Sequence, residues 1–167
     1  MDNTQQMPPE RHIGAVNWVG LGTLYGKECR RFFKVWLQTI VAPTITSMLF
    51  LAVFSLALGR AVPEIGGVSF LQFMAPGLIV MAMMQNAFAN TSSSLMISKV
   101  QGNVVDVLMP PLSPGELLIG FAMGGVSRGL VVAVVLSLVM LPFVHLEVHH
   151  FGFLLLHAFA ASMMLSL

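Results

Sequence analysis

Two side chains could form a catalytic pair: Ser127, in the string Gly125-Val126-Ser127, and His157. A serine nucleophile needs a base within hydrogen-bonding reach, and an intramembrane hydrolase would use such a pair. Arg128 follows the serine, where such motifs carry glycine, and serines in membrane helices more often serve helix packing. An intramembrane hydrolase that uses Ser127 and His157 is therefore kept only as an alternative.

A second group of candidates consists of four histidines, His145, His149, His150 and His157, which could suggest a metal site. His145 and His149 have the i, i+4 spacing of neighbours on a helix, but Pro142 and a polar turn argue against one continuous helix. A metal site also needs a defined set of ligands and of groups that orient them. We predict neutral imidazoles at an interface and no bound metal.

The string from Gly20 to Glu28 (GLGTLYGKE) resembles a phosphate-binding loop in its glycines and its lysine. Its spacing is one residue too long, and Glu28 occupies the place of the Ser or Thr that would hold magnesium. The single Cys29 excludes an intrachain disulfide and a multi-cysteine metal site. We predict that the chain is not an enzyme and binds no cofactor, so that any ATP hydrolysis belongs to another chain.

Arg128 is the most distinctive candidate for a functional residue, because it is the one charged residue between Glu116 and Glu147. It follows Pro114 by 14 residues, which places it about 20 Å along a helix. A charge at that depth is costly unless it faces protein or water. We expect Arg128 to point inward, toward intramembrane polar residues of the preceding apolar stretch. The candidates are Gln85, Asn86 and Asn90. A helix tether and a role in transport both remain open.

The elements that position these residues must lie in a membrane. Hydrophobic residues make up 56% of the 167-residue chain and charged residues 9%, whereas soluble domains have about 25% charged residues. A helix needs roughly 20 apolar residues to cross a bilayer. The net charge of +1 gives no indication of a nucleic-acid partner. We predict an all-α polytopic membrane protein, with spans at 35–58, 69–89, 114–143 and 151–167.

The residues before the first span divide into two parts. Residues 1–15 are polar and are predicted to be a disordered tail. Residues 16–34 have an apolar stripe opposite a basic face, which is typical of an amphipathic helix in the membrane interface, although a solvated flank of the first span is the alternative. The Lys and Arg residues of this flank predict a cytoplasmic N-terminus. The fourth span reaches Leu167 without a charged or aromatic anchor, so we expect the chain to be a fragment or a truncation.

Residues 90–113 interrupt the apolar pattern with a polar run. Apolar residues recur within them at helical intervals, from Leu95 to Leu108, and a proline-rich turn follows. Pro114 and Glu116 are both favourable in the first turn of the next helix. A short amphipathic cytoplasmic helix of this kind could dock a soluble protein, or it could be a linker that rests on the headgroups.

Three strings at these positions are similar to those of ABC-2 type transporter permeases. They are Gln101 to Glu116 (QGNVVDVLMPPLSPGE), Phe73 to Gly77 (FMAPG) at the start of the second span, and Ser127-Arg128-Gly129 in the third. The amphipathic helix before the first span is also typical of the family. The resemblance covers about residues 17–167.

The resemblance implies a permease subunit of an ATP-driven exporter in a bacterial inner membrane, with six spans. Such permeases pair as dimers and bind two ABC ATPase subunits, which carry the ATP and magnesium. The implied substrate is a polysaccharide, a lipid-linked molecule, a drug or a small organic molecule. A scaffold subunit without its own transport path is an alternative, since Gly120, Gly124, Gly125 and Gly129 would allow tight helix contacts.

The resemblance also implies roles for particular residues. The ATPase would contact a coupling helix at about 94–108, within residues 90–113. The coupling residues are Leu95, Lys99, Val104, Asp106 and Leu108. The residues that shape the helices are Pro76, Gly77, Pro111, Pro114 and Glu116.

Overall fold

The computed structural model describes residue 14 and residues 16–59, 62, 64–144 and 150–167. The described helices, in chain order, are α1 (Trp18–Lys34), α2 (Ala42–Leu58), α3 (Phe70–Val100), α4 (Val104–Leu108), α5 (Pro114–Met140) and α6 (Phe151–Ser166). The two strands, β1 (Glu64–Ile65) and β2 (Val68–Ser69), form one antiparallel hairpin. The all-α membrane fold is therefore confirmed. The predicted tail, apart from Gly14, lies outside the described residues.

Within the described residues, three segments are long and apolar enough to cross a membrane: Leu37–Leu58, Phe70–Val100 and Pro114–Met140. A shorter apolar helix, Gly152–Ser166, follows them. The first three correspond to the predicted spans, although α5 ends at Met140, three residues before the predicted end at 143.

Helix α1 begins at an N-cap made by Asn17, whose side chain accepts a hydrogen bond from the Gly20 N–H at 3.0 Å. The chain then turns into the membrane through a π-helical turn, Leu37–Val41, directly before α2. Pro43 lies in the first turn of α2. A proline cannot donate the hydrogen bond that the carbonyl four residues earlier would accept, and the π turn lies directly before this break.

The hairpin between α2 and α3 turns at Gly66 and Gly67, whose φ angles are +59° and +84°. Two successive residues with positive φ make the tight turn that suits two antiparallel strands. Ser69 and Gln72 then cap α3 reciprocally, so the helix begins at Phe70. Pro76 lies inside α3 without ending it.

Helix α3 does not end at residue 89, as the polar run led us to predict, but continues to Val100. Some hydroxyls of this run are satisfied within the helix: Ser92 donates to the Phe88 carbonyl and Ser98 to the Ser94 carbonyl. Only at Gly102, with φ +73°, does the backbone leave the helical region. The predicted coupling helix at 94–108 is therefore wrong as one element, since it divides between the end of α3 and α4.

Helix α5 lies at the centre of the structure, against α1, α3 and α6. Its first turn is closed by a capping box of Ser113 and Glu116, with Pro114 as its first residue. The buried apolar core lies where α2, α3 and α5 meet. It consists of Leu51, Ala75, Ala82, Val132, Leu136, Met140 and Val144.

Glycines bring α5 unusually close to its neighbours. A Cβ atom on Gly129 would lie 2.8 Å from the Met83 carbonyl oxygen, and one on Gly125 would lie 2.7 Å from the Ala87 carbonyl oxygen. Gly124 meets the side chain of Glu28 in the same way. Small residues at such positions allow helix backbones to approach closely.

Candidate functional site

A cavity of about 750 Å³ lies between α2, α3 and the end of α1. Its volume is in the range of small-molecule binding sites. Two guanidinium groups line it, those of Arg31 and Arg128. Because Arg31 lies in α1 and Arg128 in α5, four helices form the cavity: α1, α2, α3 and α5. The sequence of a single helix therefore could not predict it.

Along α3 the lining of the cavity is polar at its middle and apolar toward the N-terminal end of the helix. Ser93, Asn90 and Asn86 line the polar middle. Leu78 and Met81, together with Phe50 of α2, line the apolar end. The lining of α3 extends from Leu78 to Ile97, which corresponds to about 28 Å along the helix axis.

Arg128 faces this cavity and donates from Nη2 to Asn86 Oδ1 at 3.1 Å. Its Nε atom is enclosed and has no hydrogen-bond partner. Gln85 also lines the cavity but makes no hydrogen bond to Arg128 within the described residues. Asn90, which we had considered as a third partner of Arg128, bonds to α1 instead.

Asn90 belongs to a buried polar cluster with Glu28, Arg31 and Ser94, which was not predicted from the sequence. Glu28 is fully buried and forms a salt bridge with Arg31 at 2.8 Å. It also accepts hydrogen bonds from Ser94 Oγ at 2.7 Å and Asn90 Nδ2 at 3.3 Å. Arg31 in turn donates to the Asn90 carbonyl at 2.7 Å. The cluster joins α1 to the polar run of α3.

Glu28 therefore lies on the buried face of α1 and not on the charged face opposite the apolar stripe. The buried residues of α1 are Leu24, Glu28 and Phe32, and their i, i+4, i+8 spacing places them on one face. This spacing was visible in the sequence, but a carboxylate between two apolar residues reads as a break in the stripe. Only the partners on α3 show why the charge is tolerated there.

A second junction ties the proline-rich turn to α1. The two carboxylate oxygens of Glu116 accept hydrogen bonds from the backbone N–H groups of Asn17 and Ser113, each at 2.6 Å. Asn17 Nδ2 also donates to the Pro111 carbonyl at 3.3 Å. One side chain thus holds the N-termini of two helices, α1 and α5, next to each other.

The predicted coupling residues do not line the cavity, although Ile97, between Leu95 and Lys99, does. Lys99 and Asp106 are exposed and Val104 is half-buried, and α4 has no buried residue. The exposed large apolar residues of this segment are Leu95, Met96, Ile97, Val100, Val105, Leu108 and Met109. We call these seven residues the 95–109 surface.

The alternative catalytic pair is not assembled. The hydroxyls of Ser127 and Tyr25 share a hydrogen bond of 2.8 Å, while His157 Nδ1 contacts the Phe153 carbonyl at 2.8 Å. The described residues include no hydrogen bond between Ser127 and His157. No three potential metal ligands converge in that part of the chain, and His145 and His149 lie outside it.

Comparison with known proteins identifies the family. The model of the ABC-2 type transporter family matches residues 20–167. The chain is 36% identical over 150 residues, 90% of its length, to the inner membrane transport permease YadH of Escherichia coli K12, and to its counterpart in Shigella flexneri. It spans 59% of the length of these curated relatives. No solved structure matches. The chain therefore belongs to the ABC-2 type transporter family.

Proposed function

We propose that this chain is part of the permease subunit of an ATP-binding-cassette exporter, multi-pass in a bacterial inner membrane. A separate ABC ATPase subunit, which binds the ATP and magnesium, docks on the 95–109 surface. The permease pairs with a second copy or a related permease. Family membership supports this proposal, and the exposed apolar segment is the single structural observation that carries it.

The 95–109 surface has the composition of a protein contact. Val100 is 82% exposed and Met109 76% exposed, although both are large apolar residues beyond the most apolar part of α3. Contiguous exposed apolar residues with charged neighbours mark interaction sites. Lys99 and Asp106 supply these neighbouring charges, and both are free to meet a partner at the rim.

Displacement of this surface would be transmitted by two rigid connections. The Glu116 junction links the proline-rich turn to the starts of α1 and α5. The Glu28 cluster links α1 to α3. An ATPase that moves α4 would therefore move α1, α3 and α5 together. Coupling requires one element that both sites bias, and this group of three helices would be that element.

The test uses the full permease expressed with its candidate ATPase. We expect the two to co-purify and the permease to increase ATP hydrolysis in vesicles. Asp106→Arg and Val104→Pro should uncouple ATP hydrolysis from transport without blocking membrane insertion. The control is Glu64→Gln, an exposed change in the hairpin. Unchanged coupling in both variants would contradict the proposal, and a permease that binds no ATPase would favour the scaffold alternative.

The cytoplasmic N-terminus is part of the same proposal. In a Cys29→Ser background, a cysteine at Lys99 should react with a membrane-impermeant maleimide only from the cytoplasmic side. A cysteine at Glu64 should react only from the outside. The opposite pattern would invert the topology and remove the 95–109 surface from the reach of an ATPase.

A further inference from the structure

We infer that the cavity between α2 and α3 binds an amphiphilic anion, with a phosphate or carboxylate group held by Arg31 and Arg128 and an apolar portion along Phe50, Leu78 and Met81. This inference rests on the proposed function, since it assigns the chemical class of the transported substrate. It is carried by the charges of the cavity, by the hydrogen-bonding state of its arginines and by the order of its lining.

The charges around the cavity do not balance. Arg31 and Arg128 both line it, and Glu28 is the one carboxylate paired with them in the described part of the chain. Glu28 is already shared between Arg31, Asn90 and Ser94. Arg128 thus has a neutral amide as its hydrogen-bond partner. An uncompensated charge within a membrane span is costly, and an anion in the cavity would remove that cost.

Both guanidiniums also retain unused donors. The Nε atoms of Arg31 and Arg128 are enclosed, and neither has a hydrogen-bond partner. A buried donor without a partner is destabilising, and buried polar groups are paired in the great majority of cases. These enclosed Nε atoms are out of reach of a ligand in the cavity, but Arg128 Nη1 is neither enclosed nor hydrogen-bonded to a described residue. Guanidinium groups bind carboxylate and phosphate oxygens, so an anion is the ligand that fits this donor.

The two arginines bond to residues on successive turns of α3. Arg31 bonds to Asn90 and Arg128 to Asn86. These two asparagines are one turn apart on α3, which corresponds to about 6 Å along the axis. Ser93 lies on the same side of α3 and donates to the Asn90 carbonyl.

The remaining part of the cavity selects for an apolar portion. Beyond Asn86, its α3 wall consists of Gln85, Ala82, Met81 and Leu78. Phe50 of α2 faces this wall. A free inorganic anion would leave this apolar surface unfilled, whereas an alkyl chain would cover it.

The test measures binding to the purified full permease in a neutral detergent, by native mass spectrometry. The probes are dodecyl phosphate, dodecanol and inorganic phosphate. We expect dodecyl phosphate to bind at one site at least tenfold more tightly than either of the others. Equal binding of dodecanol would show that charge plays no part, and equal binding of phosphate would show that the apolar wall plays none. Either result would overturn the inference.

Variants locate the site. Arg128→Gln should weaken dodecyl phosphate binding at least tenfold, while Arg128→Lys should retain most of it and Lys27→Gln, an exposed change on α1 away from the cavity, all of it. Arg31→Gln alone would leave Glu28 buried without its cation, so the double variant Glu28→Gln with Arg31→Gln is used. It leaves the net charge unchanged, and we expect the same tenfold loss. Full binding in both Arg128→Gln and the double variant would overturn the assignment of this cavity.

ATP hydrolysis separates a substrate from a resident lipid. With the ATPase bound, dodecyl phosphate should stimulate hydrolysis in the wild type and not in Arg128→Gln. Binding without stimulation would overturn the assignment as substrate. A permease that binds dodecyl phosphate but recruits no ATPase would refute the proposed function while leaving the binding site in place, so the two failures are distinguishable.

Discussion

Helix α3 has two unlike sides. Toward α5 its backbone is in close contact with glycines, and Met83 and Ala87 are almost completely buried. Toward α2 it borders the cavity. The helices on the two sides also differ in burial. The most apolar stretch of α5 is 39% buried, whereas that of the segment Leu37–Leu58, which contains α2, is only 11% buried. Helices α1, α3 and α5 thus form a packed unit, to which α2 is attached loosely.

This difference indicates that α2 can move against the other helices with the smallest loss of packing contacts. Packed interiors resist small displacements because each shift loses many contacts. Helix α2 joins the unit chiefly at Leu51 and Ser47 and is preceded by the π turn Leu37–Val41. A motion of α2 against α3 would change the volume of the cavity without breaking the Glu28 cluster. The predictions below test this division, from the largest effect to the smallest.

The largest effect should come from the Glu28 cluster. Glu28→Ala removes the one carboxylate of the cluster and leaves Arg31, Asn90 and Ser94 without their acceptor. Breaking a buried ion pair costs about 3–5 kcal/mol, and we expect the lower end because the Arg31 side chain is 28% exposed. The measurement is thermal unfolding in detergent. Glu28→Gln should cost less, and equal unfolding temperatures for wild type and Glu28→Ala would show that α1 is not part of the unit.

The glycine contacts should have an intermediate effect. Gly129→Ala places a methyl group against the Met83 carbonyl, so α3 and α5 must separate. We expect a loss of about 1–3 kcal/mol, which is typical of overpacked sites. Gly77→Ala is the matched control, because no atom lies within 4 Å of its added methyl. It should stabilise α3 slightly, through helix propensity. Similar losses in both variants would mean that close approach is not what Gly129 provides.

The smallest effect is expected on the outer face of α2. Leu56 is 76% exposed, so Leu56→Ala should change the free energy of unfolding by no more than about 0.5 kcal/mol. Leu51→Ala, on the buried face of the same helix, should cost clearly more. If Leu56→Ala destabilised the protein as much as Leu51→Ala, α2 would be packed on both faces and the comparison would fail.

Local signals in the sequence predicted several features of the fold. Pro114 and Glu116 indicated the start of α5, and both lie in its first turn, where Glu116 forms a capping box with Ser113. The polar run at 90–100 misled the prediction of the end of α3. Its side chains are satisfied by helix carbonyls and by residues of α1 and α6, for example Thr91 by Ser166 at 2.8 Å. No local pattern distinguishes such a run from a loop.

The sequence by itself determined that this is a helical membrane protein. A bilayer core disfavours charged side chains, so each span appears in the sequence as an uncharged stretch of the required length. It also indicated that Arg128 must have a special environment. Only the tertiary structure decided what that environment is. The burial of Glu28, the division of Asn86 and Asn90 between two arginines, and the cavity that these arginines share all depend on contacts between residues 42 to 66 positions apart. Such contacts depend on how the helices pack against each other, so the residue pattern of a single helix cannot predict them.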